Sequence, residues 1–181
     1  KHARHAEREA IAARLLPVLR GRLSTKQRVI GTFTDKPEVL AFASSHFAEK
    51  LAHLGTSCPD HFIRTKIRPL FVDWDPKSDT GKIEEKVDEA LANYRKEYSE
   101  YYTANAQNDS PAMRDASPTV VLVPGIGMFS FGKNKAESRI TGEFYTNAIH
   151  VMEGAGGMGC GTYPETLPQS GNAAPTSAFS V

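Results

Sequence analysis

The chain has 181 residues, of which 40% are hydrophobic and 24% charged, with a formal net charge of +1. That length is enough for one sizeable core, the charge argues against a general nucleic-acid binder, and no run of about 18 apolar residues is present to span a membrane. Two cysteines, Cys58 and Cys160, are too few for a disulfide framework and fit reduced thiols in a cytoplasmic protein. The chain opens on Lys1 with no visible signal peptide, so we expect a piece of a longer polypeptide.

Residues 2–20 read as a helix with Ile11, Leu15, Val18 and Leu19 on one face, kinked or ended by Pro17. Residues 26–34 carry Val29, Ile30, Thr32 and Phe33 and read as a short strand. Asp35 is placed to cap a helix with Pro37 in its first turn. Leu40, Phe47, Leu51 and Leu54 give that helix one continuous apolar stripe, and Gly55 stops it. Residues 56–60 form a polar turn, and residues 61–73 a strand ending in Leu70, Phe71 and Val72. A loop over 75–81 leads into a long amphipathic helix marked by Ile83, Val87, Leu91, Tyr94, Tyr98 and Tyr101 or Tyr102. Its tyrosines read as a packing face, because Tyr buries its ring while its hydroxyl reaches water.

Residues 105–118 form a polar linker. Residues 119–123 are continuously apolar and predict a central strand covered on both faces. Pro124 and Gly125 turn the chain, and Met128 to Phe131 return as a second strand. Asn134 with Glu137 resembles a capping box, opening a helix through Met152 that buries Ile140, Phe144, Ala148 and Val151. From Gly154 onward the composition predicts an irregular tail or a boundary to a further domain. The domain reading is one unit over 1–153 and the tail over 154–181. The alternation of elements favours an α/β sandwich in which helices cover a mixed sheet.

Gly127, Gly132 and Lys133 match the spacing of a phosphate-binding loop. Such a loop continues with Ser or Thr, whose hydroxyl binds magnesium, and here Asn134 stands in that place. Its interior is bulky and alternating (Met128, Phe129, Ser130, Phe131), which suits a pleated strand rather than a wrapped cradle. A dinucleotide fingerprint fails as well, since Ser130 replaces its third glycine. A second constellation, residues 56–66, packs hydroxyls, one imidazole and cations into a short span. Thr56, Ser57, His61, Arg64 and Lys66 are the candidate anion-binding residues, set against the plainer reading of a solvated strand edge. The six histidines include no His-x-His pair; His46 and His53, seven apart, could share a helix face, but no acid or cysteine completes a zinc set. Cys58 and His61 as a hydrolytic pair are disfavoured, since three residues apart on extended chain they face opposite sides.

Residues 55–70 (GTSCPDHFIRTKIRPL) and 124–133 (PGIGMFSFGK), with 110–114 (SPAMR) and 144–153, resemble the bifunctional rhamnulose-1-phosphate aldolase/short-chain alcohol dehydrogenase family. The resemblance implies a class II aldolase/adducin-like fold over nearly all of the chain, with a nicotinamide-dependent Rossmann domain beyond it. It implies a parent enzyme that cleaves a deoxyketose 1-phosphate to dihydroxyacetone phosphate and lactaldehyde with zinc, and oxidises the aldehyde with NAD(P). Ile126 stands where that family's last zinc-ligating histidine would be, so this segment is expected to hold no metal or cofactor and to have unknown catalytic residues of its own. The expected partners are a sugar phosphate and the rest of the parent chain. Neither nucleic acid nor membrane is expected, and homo-oligomerisation is left open. The alternative is a non-catalytic scaffold or oligomerisation domain.

Overall fold

The computed structural model describes residues 5–55, 64–75 and 78–155. Helix α1 (His5–Leu23) comes first, then strand β1 (Ile30–Thr34) and two short helices, α2 (Pro37–Ala43) and α3 (Ala48–Leu54). Strand β2 (Leu70–Phe71) and a 3-10 turn at Thr80–Lys82 lead into α4 (Ile83–Asn105). Strands β3 (Val120–Val123) and β4 (Gly127–Gly132) and helix α5 (Lys135–Ala155) complete the order.

The four strands make one mixed sheet in the order β1-β4-β3-β2. β3 and β4 form an antiparallel hairpin, β1 adds antiparallel to β4, and β2 runs parallel to β3. All of β3 is buried, as its unbroken apolar run requires of a central strand. Its side chains alternate between two cores. Val121 and Val123, with Phe129 and Phe131 of β4, pack on one face against α1 and α4. Val120, Leu122 and Met128 pack on the other face against α2, α3 and α5. Helices therefore cover both faces of the sheet.

Four local expectations are revised. Pro17 does not end α1, which runs six residues further to Leu23. Pro17 and Ala13 both lie on the exposed side, so the carbonyl that proline leaves without an amide partner is on the solvent side. The helix over 36–54 is broken into α2 and α3. Ser44 ends α2, and its hydroxyl accepts a hydrogen bond from the Gly125 amide at 3.0 Å, so the break anchors the β3–β4 turn. Phe47 and Leu54, expected on a buried stripe, are exposed. Asp35 does not cap α2, whose N-cap is Lys36 with no side-chain bond. Its carboxylate instead accepts from His5 Nδ1 at 2.7 Å and Arg8 Nε at 3.0 Å, which ties α1 to the end of β1. The predicted strand over 61–73 narrows to two residues; Arg64 and Thr65 are helical, and 61–63 lie outside the described residues.

The buried face of α5 is also turned from the expected one. Ser138, Thr141, Tyr145, Ala148 and Ile149 are buried, Ile140 and Phe144 half-buried, and Val151 exposed. The capping residues do act. Asn134 Oδ1 accepts from the Glu137 amide at 2.8 Å, while Glu137 reaches back to the amide of Lys133 at 2.9 Å, one residue earlier than the usual box.

Candidate anion-binding cleft

The segment that resembled a phosphate-binding loop is a pleated ribbon. Gly127 to Gly132 pair residue by residue with β1 and β3, so their backbone groups are spent on the sheet. The two glycines have structural reasons to be there. Gly127 has φ +142°, and a Cβ on it would come within 2.5 Å of the Thr34 carbonyl oxygen. Gly132 sits where β4 meets the first turn of α5, and a Cβ there would lie 2.6 Å from Glu137 Cβ and from the Ser138 amide. At the start of α5 the Glu137 amide is taken by the Asn134 side chain, and the Lys133 amide just before the helix is taken by Glu137.

Beside this junction lies a cleft of about 590 Å³. Lys26 and Val29 come from the α1–β1 connection, Arg114, Asp115, Ser117 and Thr119 from the long linker, and Lys133, Glu137 and Thr141 from the β4–α5 junction. Arg64 and Lys66 complete the wall, and Leu23 and Phe131 supply apolar floor. Two of the five predicted anion-binding residues therefore meet in one concave site. Thr56, Ser57 and His61 lie outside the described residues.

The two described residues have different surroundings. Arg64 is exposed, with its guanidinium carbon 5.6 Å from the centre of the Phe144 ring. Lys66 is turned inward. Its ammonium donates to the backbone carbonyls of Asp115 and Ser117 and lies 4.8 Å from the centre of the Tyr98 ring. It is the one non-glycine residue with positive φ among the described residues, at 61°. Burial pushes the Lys66 amine down to about 8, with the Arg114 and Lys26 charges acting the same way and Asp115 opposing. Lys66 is thus a staple that fastens the 105–118 linker to the core. Burial also pushes the Tyr98 hydroxyl up.

The linker is held by more than Lys66. Thr25 Oγ1 donates to Asp115 at 2.7 Å, Arg95 donates to the Ser117 hydroxyl at 3.2 Å, and Tyr102 donates to the Pro111 carbonyl at 2.7 Å. Burial works against a charge on Asp115, but the Ser117 amide and the Thr25 hydroxyl outweigh it and hold the carboxyl below its usual range. Thr119 is the exception: its hydroxyl is buried without a hydrogen-bond partner.

The family model for the second domain of class II aldolases matches residues 10–168. The chain belongs to this family. It is also 38% identical over 154 residues to the uncharacterized oxidoreductase YuxG of Bacillus subtilis (strain 168), a match covering 84% of this chain and 22% of that protein. The chain thus spans about a fifth of the relative's length. No solved structure matches it.

Class II aldolase chemistry implies a divalent metal, and the described residues do not fit one. Among them no three His, Cys, Asp or Glu side chains come together as a ligand group. Ile126, which the resemblance set against a ligating histidine, is buried in the apolar core with Val123 and Phe129. No helix among the described residues is long and apolar enough to cross a membrane. The sequence reading missed Lys26, Arg114 and Lys133 as cleft residues. Lys133 entered only through the phosphate-loop match and a resembling stretch, and Arg114 only through a resembling stretch, because their convergence is made by three distant connections.

Proposed function

We propose that this chain is the second aldolase segment of a longer bifunctional enzyme. That enzyme cleaves a deoxyketose 1-phosphate of the rhamnulose-1-phosphate type to dihydroxyacetone phosphate and lactaldehyde, and oxidises the aldehyde with NAD(P). The observation that carries the reading is the family match over most of the chain; the oxidoreductase name of a relative nearly four times as long supports the second activity. The segment's own part is to position an anionic substrate group from residues 56–66, with Arg64 presenting a planar fork to the cleft. Zinc and the nicotinamide cofactor are assigned to the rest of the parent.

The test is an assay of the longer enzyme. Adding the ketose phosphate should release dihydroxyacetone phosphate, detected by a coupled reductase, and should reduce NAD(P) as lactaldehyde is consumed. Release of no triose phosphate from any ketose 1-phosphate tried would sink the reading. Lys66 supports the second reading, a scaffold, because its charge is used to fasten the linker. On that reading an Arg64→Ala enzyme keeps its KM for the ketose phosphate; on the binding reading KM rises with kcat less affected.

A further inference from the structure

The cations of this molecule divide into two sets. Most arginines are consumed internally. Arg22 pairs with Asp88, Arg68 with Glu97 and Arg8 with Asp35, while Arg20 donates to the Val29 carbonyl. Around the cleft the pattern changes. Arg114 makes no hydrogen bond or ion pair among the described residues, and it is exposed at the cleft wall. The Lys26 ammonium has one long contact, 3.4 Å to the Met113 carbonyl. Asp115, on the same wall of the cleft, is occupied by the Thr25 hydroxyl and the Ser117 and Lys26 amides rather than by a cationic side chain. Opposite them Lys133 is held by Glu137 at 3.3 Å, on a lysine that remains 63% exposed.

We infer that this cleft is a phosphate-binding site in which Arg114 and Lys26 grip the anion and Lys133 closes the far side. Five cations, Lys26, Arg64, Lys66, Arg114 and Lys133, face two carboxylates, Asp115 and Glu137, in the lining. A dianionic phosphate relieves that imbalance better than a single carboxylate does. A guanidinium fork beside an ammonium matches phosphate oxygens in geometry and in charge. The volume suits a small molecule, not a polymer. The Lys133 and Glu137 amides at this wall are already bonded to Glu137 and Asn134, so the grip is assigned to the cationic side chains and depends on them individually. The site stands on the geometry; only the identity of the molecule bearing the phosphate rests on the proposed aldolase function. That molecule is either the substrate's own phosphate ester or free phosphate acting as a regulator.

The test is a titration of the 15N-labelled 181-residue chain followed by two-dimensional NMR. Inorganic phosphate should shift the amides of Asp115, Thr119 and Lys133 saturably, and sodium chloride at matched ionic strength should not. Dihydroxyacetone phosphate should move the same signals, and dihydroxyacetone should leave them in place. Tighter binding of the ester identifies the substrate phosphate as the source; equal binding identifies free phosphate, and both outcomes support the site. The double variant Arg114→Gln with Lys26→Gln should bind about tenfold or more weakly. Lys96→Gln with Arg139→Gln, which removes exposed cations elsewhere, should bind as the parent chain does. No saturable shift, or undiminished binding by the first double variant, overturns the inference. Ketose cleavage by the longer enzyme without phosphate binding here would overturn this site and leave the proposed function standing; binding without cleavage would do the reverse.

Discussion

Replacing Lys66 by methionine keeps the length and the apolar stem and removes the charge. Two charge-assisted hydrogen bonds, to the Asp115 and Ser117 carbonyls, are lost along with the contact to Tyr98. Each such bond contributes about 1.5–3 kcal/mol, but the variant also escapes the cost of holding an ammonium away from water. The net expected loss at pH 7 is about 2 kcal/mol, a large share of a typical domain's stability. The pH dependence carries a second signature. Burial lowers the Lys66 amine to about 8, below its ordinary value of 10.5, so between those values the unfolded chain holds the extra proton. Lys66 therefore makes folding more favourable as pH rises through that window, by about 1–2 kcal/mol after discounting for its partial exposure. Tyr94 and Tyr145, whose hydroxyls burial pushes up, are common to both proteins and cancel in the difference. Urea unfolding of both proteins at pH 7 and pH 10 is the assay. The gap between them should widen with pH. A variant as stable as the parent at pH 7 would refute the staple, and a gap that is flat or narrows would refute the lowered Lys66 pKa.

Three further substitutions probe the β3–β4–α5 region. Gly132→Ala places a methyl group against the backbone of α5 and should cost about 2–3 kcal/mol in urea unfolding; a neutral result would mean that strand and helix do not touch there. Thr119→Val removes a buried hydroxyl that bonds to nothing, and should stabilise by about 1 kcal/mol where a satisfied threonine would destabilise. Asn134→Ala removes the acceptor for the Glu137 amide, and should lower thermal stability by an amount equivalent to about 1 kcal/mol, recovered by Asn134→Ser or Asn134→Asp.

The elements that could be read in advance are those whose stability is local or whose pattern is unbroken. β3 announced itself by four consecutive buried aliphatics, β4 by alternating bulk, and α4 by Ile83, Val87, Leu91 and Tyr94 at helical spacing. The features that escaped are set by partners far along the chain. Ser44 interrupts a plausible helix because the Gly125 amide, 81 residues away, needs its hydroxyl. The fastening role of Lys66 escaped because its two carbonyl partners lie 49 and 51 residues downstream. Asp35 looked like a cap, but its donors sit 27 and 30 residues upstream on α1. The face of α5 was misjudged for another reason. Ser138, Thr141 and Thr146 are buried there, with Ser138 bonded to Thr32 at 2.6 Å and Thr146 to the Gly142 carbonyl at 2.9 Å. Polarity alone places such residues outside. Of the proposed anion-binding residues, those within 56–66 were legible as a dense run of donors. The cleft that Arg64 and Lys66 share with Lys26, Arg114 and Lys133 was not, because no sequence window contains all of them.

The most direct test is a crystal structure of the chain soaked with dihydroxyacetone phosphate. We expect the phosphate between Arg114, Lys26 and Lys133, with residues 127–132 unchanged as a paired strand. Phosphate seated on the backbone amides of residues 127–133, with that ribbon unpaired and wrapped around it, would contradict the account.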